Sequence, residues 1–412
     1  MTRVEPAADA GPTGTDRDAV VRRLSRRGLV TPRYDTAGLG SVMLAAAGVL
    51  GAEVVTRDGL SSARSRDKLG LPRADRVCVV LVDGLGLRLL TKRRGHAPTL
   101  RGLLDDARRL SAPFPSTTAA SLGVLGTGTG PGRTGLLGYT IRSSRTRELA
   151  NMLSWTGLPA PTDVQTEPTV LERLAERGTS VTSVGLARFE ASGMTRAALR
   201  GATTYLAADS LASRVDAAAR ALRKPGFTYL YVGEVDKAGH HHGWRSGAWG
   251  DALSEVDREL GRLLRSVPRG TLVLITADHG MVDVDPQRRY DVAAEPALRE
   301  GVAMVAGEPR ATHVYVDEGA DADVVAAVQE RWQDVLGDDA VVLRRDEVLA
   351  AGLVGPVSEH VLPDLGDLVV AATGRATVVD SATQTPASMS LLGVHGSLTP
   401  DEMHVPLIAA RA

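Results

Sequence analysis

Short β-branched runs alternate with amphipathic stretches over much of the chain. "RVCVVLV" is followed by "RLLTKRRG", "TVLERLAERG" leads into "TSVTSVGLA", "SRVDAAARALRK" into "FTYLYVGEV", and "LSEVDRELGRLLRSV" into "TLVLITA". The short runs are apolar at successive positions rather than at every second one, so both faces of each strand are buried, as in a parallel sheet covered by helices. The pattern predicts an α/β fold: a doubly wound, mostly parallel central sheet with helices on both faces. Beyond "ADHGM" the pattern changes, with "GVAMVAGEPRATHVYVD" reading as two strands, "ADVVAAVQERWQDVLG" as an amphipathic helix and "GDLVVAATGRATVVD" as a hairpin. Strands outnumber helices there, so a smaller α+β cap insertion is expected at about residues 285–390, before a return to the main sheet near "HGSL".

Residues 1–35, rich in Pro, Gly, Thr and Arg, read as a flexible N-terminal extension with a short surface helix at "DAVVRRLSRRG", leaving 36–412 as the folded domain. "LGSVMLAAAGVLGAEVV" is the most apolar stretch, but Gly40, Gly48 and Gly51 interrupt it. It falls short of the roughly 20 residues a membrane span needs, which predicts a buried helix. The N-terminus lacks the apolar core of a signal peptide, and a cytoplasmic chain is expected.

Composition narrows the chemistry. Of the 412 residues, Lys and Arg (48) nearly balance Asp and Glu (49), for a net charge of −1. No overall field then draws in a nucleic-acid duplex or an anionic membrane, and any anionic ligand must be held locally. The one cysteine, Cys78, lies inside a strand-like run, which excludes an internal disulfide and a thiolate metal cluster. Metal ligands, if present, are histidines and carboxylates.

Three strand ends deliver such groups. Asp83 follows "VCVVLV" and precedes "GLG", Asp236 follows "YLYVGEV", and Asp278 with His279 follows "LVLITA". Open α/β sheets bind ligands at this carboxyl edge. His240 lies four residues after Asp236 in "DKAGHHHG", a spacing that brings both to one side of a helical turn, whereas His241 and His242 read as solvated neighbours. His395 stands between glycines in "GVHGSL". Imidazoles with carboxylates form an ordinary Zn²⁺ ligand set. "FPSTT" reads as an extended entry into a helix beginning near Ala119, which puts Thr118 at the N-cap or in the first turn, where free N–H groups favour a phosphate. Beside metal ions a threonine hydroxyl can serve as a nucleophile.

In order and context, "VDGLG", "FPSTT", "DKAGH", "ADHGM" and "VHG" resemble the alkaline phosphatase superfamily, most closely its type I phosphodiesterase and nucleotide pyrophosphatase branch. The resemblance runs from about residue 70 to the C-terminus. It implies an alkaline phosphatase-like catalytic domain with two divalent ions, expected to be Zn²⁺. One would be held by Asp236, His240 and His395, the other by Asp83, Asp278 and His279, with Thr118 as metal-bound nucleophile and a phosphothreonine intermediate. The implied activity is hydrolysis of phosphodiester or nucleotide pyrophosphate bonds in a small phosphoester or nucleotide. Phosphomonoester and phosphonate hydrolysis on the same core stay open, as do a phosphotransferase and a non-catalytic metal-binding relative. Tyr139 stands where the family's phosphodiesterases carry a phosphate-contacting asparagine, and Ala120 and Ser121 replace the usual Pro and Asn. Candidate substrate contacts are Tyr139, Asn151 and Arg188, with Trp155, Phe189, Arg310 and His313 beside them.

Overall fold

The computed structural model describes residues 16–412. The strands of the central sheet that precede the insertion are, in chain order, β1 (Arg76–Val82), β2 (Arg108–Ser111), β3 (Val181–Gly185), β4 (Thr204–Ala207), β5 (Gly226–Val232) and β6 (Leu272–Thr276). Four more follow in the inserted segment: β7 (Val302–Glu308), β8 (Ala311–Val316), β9 (Ala340–Arg344) and β10 (Leu368–Ala372). The chain closes with β11 (His404–Arg411). The central sheet has the order β2-β11-β6-β1-β5-β3-β4. Its five strands from β6 to β4 are mutually parallel, and β11 and β2 add antiparallel pairings at one side. Successive side chains of a strand point to opposite faces, yet every residue of β1 from Val77 to Val82 is buried, so helices cover both faces. The fold is the expected doubly wound α/β class.

Two flanking elements need comment. Helix α1 (Arg17–Arg26) is capped by Asp16, whose carboxylate accepts the Asp18 N–H at 2.9 Å, and it buries Val20 and Leu24 at i and i+4 spacing. Leu29 is buried too, and the Val30 N–H donates to the Leu398 carbonyl at 2.8 Å. Residues 16–35 are therefore packed against the domain, which corrects the expectation of a flexible extension over that stretch; residues 1–15 lie outside the described residues. The apolar "LGSVMLAAAGVLGAEVV" contains α2 (Ser41–Val49), in which every residue is buried. Among the described residues no helix is long and apolar enough to cross a membrane.

The inserted segment forms a four-stranded antiparallel sheet, β7-β8-β10-β9. Its residues alternate between two cores. Val341, Leu343, Val369 and Ala371 join the main core, whereas Ala340, Val342, Leu368 and Val370 face a second core with Trp332 of the helix Ala322–Leu336. Period-2 alternation thus makes the insertion a layer continuous with the main domain. One detail departs from expectation. "GDLVVAATGRATVVD" is not a hairpin: β10 is already paired on both edges, so Thr377–Val379 pairs in parallel with Arg289–Asp291 instead. The chain rejoins the main sheet at β11, which starts six residues past "HGSL".

Candidate active site

Strands β6, β1 and β5 are neighbours, so the acids beyond their carboxyl ends meet at one edge. Asp83 directly follows β1; Asp278 and His279 follow β6. Beyond β5 the chain enters a helix, α3 (Glu234–His242), which carries Asp236 in its first turn and His240 one turn later, with His240 Nε2 3.2 Å from Asp236 Oδ2. Gly84 lets these elements close up. Its φ is +71°, and a Cβ there would sit 3.0 Å from both Cα and Oδ1 of Asp236.

All three histidines are oriented alike. His240 Nδ1 is 2.7 Å from the Gly393 carbonyl, His279 Nδ1 is 2.9 Å from the Gly280 carbonyl, and His395 Nδ1 is 3.0 Å from the Ser116 carbonyl. A carbonyl only accepts, so each Nδ1 carries a proton, which leaves Nε2 as the nitrogen able to hold a metal, the arrangement of metal-ligating histidines. The carboxylates complete the pattern. Asp83 Oδ1, Asp236 Oδ1 and Asp278 Oδ2 are buried without a hydrogen-bond partner among the described residues. Their other oxygens are in use: Asp83 Oδ2 accepts the Tyr231 hydroxyl at 2.6 Å, and Asp278 Oδ1 accepts the N–H groups of Gly84 and His279. Unpartnered oxygens on buried carboxylates fit divalent cations, because burying bare anions together is otherwise very costly.

Ligand atoms converge in two groups, Asp83–Asp278–His279 and Asp236–His279–His395. The first is the set the resemblance implied. In the second, His279 stands where His240 was expected; its ring stacks on that of His395 with centroids 3.6 Å apart, while His240 and His395 are 5.2 Å apart. His240 remains at the cluster through its contact with Asp236.

The electrostatics show the same need for positive charge. Burial, then the neighbouring Asp278 and Asp236, push the Asp83 carboxyl well up, and burial followed by Asp236 raises Asp278 to about 7. Burial opposes ionisation of Asp236 as well, but His240 beside it holds that carboxyl well below its ordinary value. Burial pulls His240 down, and Asp236 more than reverses this, to about 9.

Thr118 is the first residue of helix α4 (Thr118–Thr127), and its Oγ1 lies 3.2 Å from His279 Nε2. The N-cap residue Thr117 does not cap with its side chain; its Oγ1 donates to Glu308 Oε1 at 2.6 Å. A cavity of about 400 Å³ opens here, with Thr118, Asp83, Asp236, His240 and His395 in its wall.

The substrate-contact candidates divide. Tyr139 lines the cavity and is 40% exposed, and Phe189 lines it too. Asn151 faces an adjacent smaller cavity, and its Oδ1 accepts the N–H groups of Leu153 and Ser154. Arg188 is not in the main cavity wall; its guanidinium rests over the Phe189 ring, 4.9 Å from the centroid. Trp155 donates to the Pro159 carbonyl. Arg310 is fully buried in an ion pair with Glu402, and His313 is buried between the Leu137 carbonyl and the Gly366 N–H. His241 and His242 are exposed. Glu308 was missed by sequence reasoning although it ends β7, the same strand-end acid signal that singled out Asp83. Burial raises its carboxyl to about 7, against the hydrogen bond from Thr117.

The profile of the type I phosphodiesterase / nucleotide pyrophosphatase family matches residues 77–398. The chain belongs to that family. This phosphodiesterase-family chain is 41% identical over 61 residues to human ectonucleotide pyrophosphatase/phosphodiesterase family member 7, a match spanning 14% of the chain and only 13% of the human protein's length. Among solved structures, murine ectonucleotide pyrophosphatase/phosphodiesterase 5 superposes with a TM-score of 0.64 at 17% identity, covering 81% of this chain and 87% of that one. The phosphonoacetate hydrolase of Sinorhizobium meliloti, in complex with phosphonoformate, gives 0.63 at 19% identity, covering 87% and 93%. At such identities these two establish a shared fold for the family member described here.

Proposed function

We propose that the chain is a two-metal phosphoric ester hydrolase acting on phosphodiester or nucleotide pyrophosphate bonds, with Thr118 as nucleophile and a phosphothreonine intermediate. One observation carries the reading: Asp83, Asp236 and Asp278, each with a buried oxygen that has no partner, gather with oriented histidines in two groups, and His279, common to both, has its Nε2 3.2 Å from the Thr118 hydroxyl. Bound divalent ions, Zn²⁺ by the ligand chemistry, would supply the positive charge that favours the threonine alkoxide and the charge building on phosphoryl oxygens. Asp83, Asp278 and His279 are the fitting holders of one ion. Asp236 and His395, with His279 or His240, fit the other.

The protein's own residues do the rest. Thr118 Oγ1, its proton lost to solvent, attacks phosphorus in line as the bond to the opposite ester oxygen breaks, and that oxygen leaves as an alkoxide or phosphate that takes up a proton. The N–H groups of the first turn of α4 face the phosphoryl oxygens, an anion site favoured by the helix dipole. His279 Nε2 lies 3.2 Å from the hydroxyl, so Thr118 Oγ1 stands at the ligand cluster. Water then cleaves the phosphothreonine, restoring the hydroxyl.

Thr118→Ala is expected to lower turnover by about 10⁴ or more while metal content stays near two per chain. A metal-supplemented panel of a phosphodiester, a phosphomonoester, a nucleoside triphosphate and a phosphonate, assayed alongside metal analysis, checks this. Turnover in the variant close to that of the parent would overturn the nucleophile.

A further inference from the structure

The floor of the active-site cavity is a row of hydroxyls that the metal chemistry does not use. Ser183 on β3 is in register with Tyr229 on β5 and with Tyr205 on β4, so the three side chains share one face across adjacent strands, and all three line the cavity. Tyr205 is satisfied, its hydroxyl donating to the Leu186 carbonyl at 2.8 Å. The other two are not. Ser183 Oγ and the Tyr229 hydroxyl are buried with no hydrogen-bond partner among the described residues, although these residues are only 2% and 3% exposed. Folded proteins rarely leave such groups unpaired, and a pair lining one cavity points to a ligand that completes them.

The chamber above the row defines that ligand further. Tyr231, two residues beyond Tyr229 on the same strand face, donates to Asp83, so the face leads from the metal-ligand cluster down to the hydroxyl row. Leu122, Phe189, Met194, Leu199 and Leu391 supply apolar wall, and no Lys or Arg lines the cavity among the described residues. Away from the histidines of the ligand cluster, a second anionic group beside the hydroxyl row would find no Lys or Arg as counter-charge.

We propose that Ser183 and Tyr229 form a specificity subsite for an uncharged, largely apolar substituent of the substrate's phosphorus, one that presents a hydroxyl or carbonyl to the two hydroxyls at the cavity floor. Binding of that substituent rests on the phosphoester reading above, since the phosphoryl group is what anchors it at Thr118. The subsite selects against substrates whose substituent carries its own phosphate or carboxylate into this chamber.

The test is calorimetric titration of the zinc-loaded full chain with a length series of alkylphosphonates and their ω-hydroxy counterparts. At one chain length the hydroxy form should bind about tenfold tighter than the methyl-ended form. Tyr229→Phe and Ser183→Ala should each erase most of that preference, and Tyr205→Phe should leave it standing. Absence of a hydroxyl preference at every length overturns the subsite, as does a preference that survives in Tyr229→Phe, which keeps the ring and its packing. Turnover of the matching 4-nitrophenyl esters is scored separately. Hydrolysis without hydroxyl preference rejects the subsite and spares the hydrolase; hydroxyl-selective binding without hydrolysis does the reverse.

Discussion

His313 and the three histidines proposed as ligands differ in what their second nitrogen meets. At His240, His279 and His395 one ring nitrogen is anchored on a carbonyl and the other faces carboxylates or Thr118. At His313 both nitrogens are satisfied by backbone: Nε2–H donates to the Leu137 carbonyl at 3.0 Å, and Nδ1 accepts the Gly366 N–H at 3.1 Å. Protonating Nδ1 would turn the acceptor into a second donor facing an N–H. Burial acts in the same direction, and the imidazole is pulled down to about 4. Its contribution is therefore intact above the ordinary histidine value near 6.5 and lost as pH falls toward 4, because the unfolded chain takes up the proton first. Over that window the loss reaches about 3 kcal/mol, at 1.36 kcal/mol per unit. Thermal midpoints at pH 7 and pH 5 check it. His313→Gln should be less stable than the parent at pH 7 but lose less between the two pH values; an unchanged acid sensitivity would count against His313 as its source.

Elements are joined by a second buried group, and here a strand pair in the insertion reaches the segment that carries His395 near the C-terminus. Arg310, between β7 and β8, makes two bonds to Glu402, Nε to Oε1 at 3.2 Å and Nη2 to Oε2 at 2.8 Å, with both side chains fully buried. Glu402 also accepts the Ser397 N–H and the Thr399 hydroxyl, two and four residues past His395. Arg310→Met should cost about 3–5 kcal/mol by leaving the carboxylate unpaired, and it should weaken zinc binding as the His395 segment loosens. Adding Glu402→Leu should recover part of the stability, measured by thermal midpoint and zinc titration; no recovery would mean that the arginine acts by volume alone. The chain's own pattern made the strands legible, since continuous apolar runs are the direct consequence of burial on both faces. The strand-end acids were legible for the same reason, a polar group at the end of a buried run. Arg310 and His313 were not, because a charged or titratable residue in an edge-to-edge insertion looks like a ligand contact until its backbone and carboxylate partners are known. The supposed hairpin failed for a related reason: "GDLVVAATGRATVVD" shows two strands but not that both edges of the first are occupied. Ser183 and Tyr229 were invisible because their significance lies in cross-strand register, which spans some 46 residues of sequence.

At the scale of the whole molecule, the near-neutral chain concentrates anionic charge at one edge of its sheet. Asp83, Asp236 and Asp278 meet there in a buried setting, and the buried Glu308 lines the same cavity. Without bound cations, burial and mutual repulsion push protons onto Asp83 and Asp278, a cost to folding at pH 7 because the unfolded chain ionises them; with cations, the same groups would tie β1, β5 and β6 to the His395 segment. Metal therefore has to act on global stability as well as on chemistry. A ligand that binds only the folded state adds about 4 kcal/mol at a thousandfold excess over its dissociation constant, so chelation at pH 7 should lower the thermal midpoint by several degrees. Asp83→Asn with Asp278→Asn separates repulsion from ligation. Neutral amides remove the like-charge cost, so the chelated double variant should melt above the chelated parent, and added zinc should no longer raise its midpoint to the parent's extent. If chelation leaves the parent's midpoint unchanged, or if the chelated double variant melts below the chelated parent, the convergence of carboxylates is not the cation-dependent centre that its unpartnered oxygens indicate.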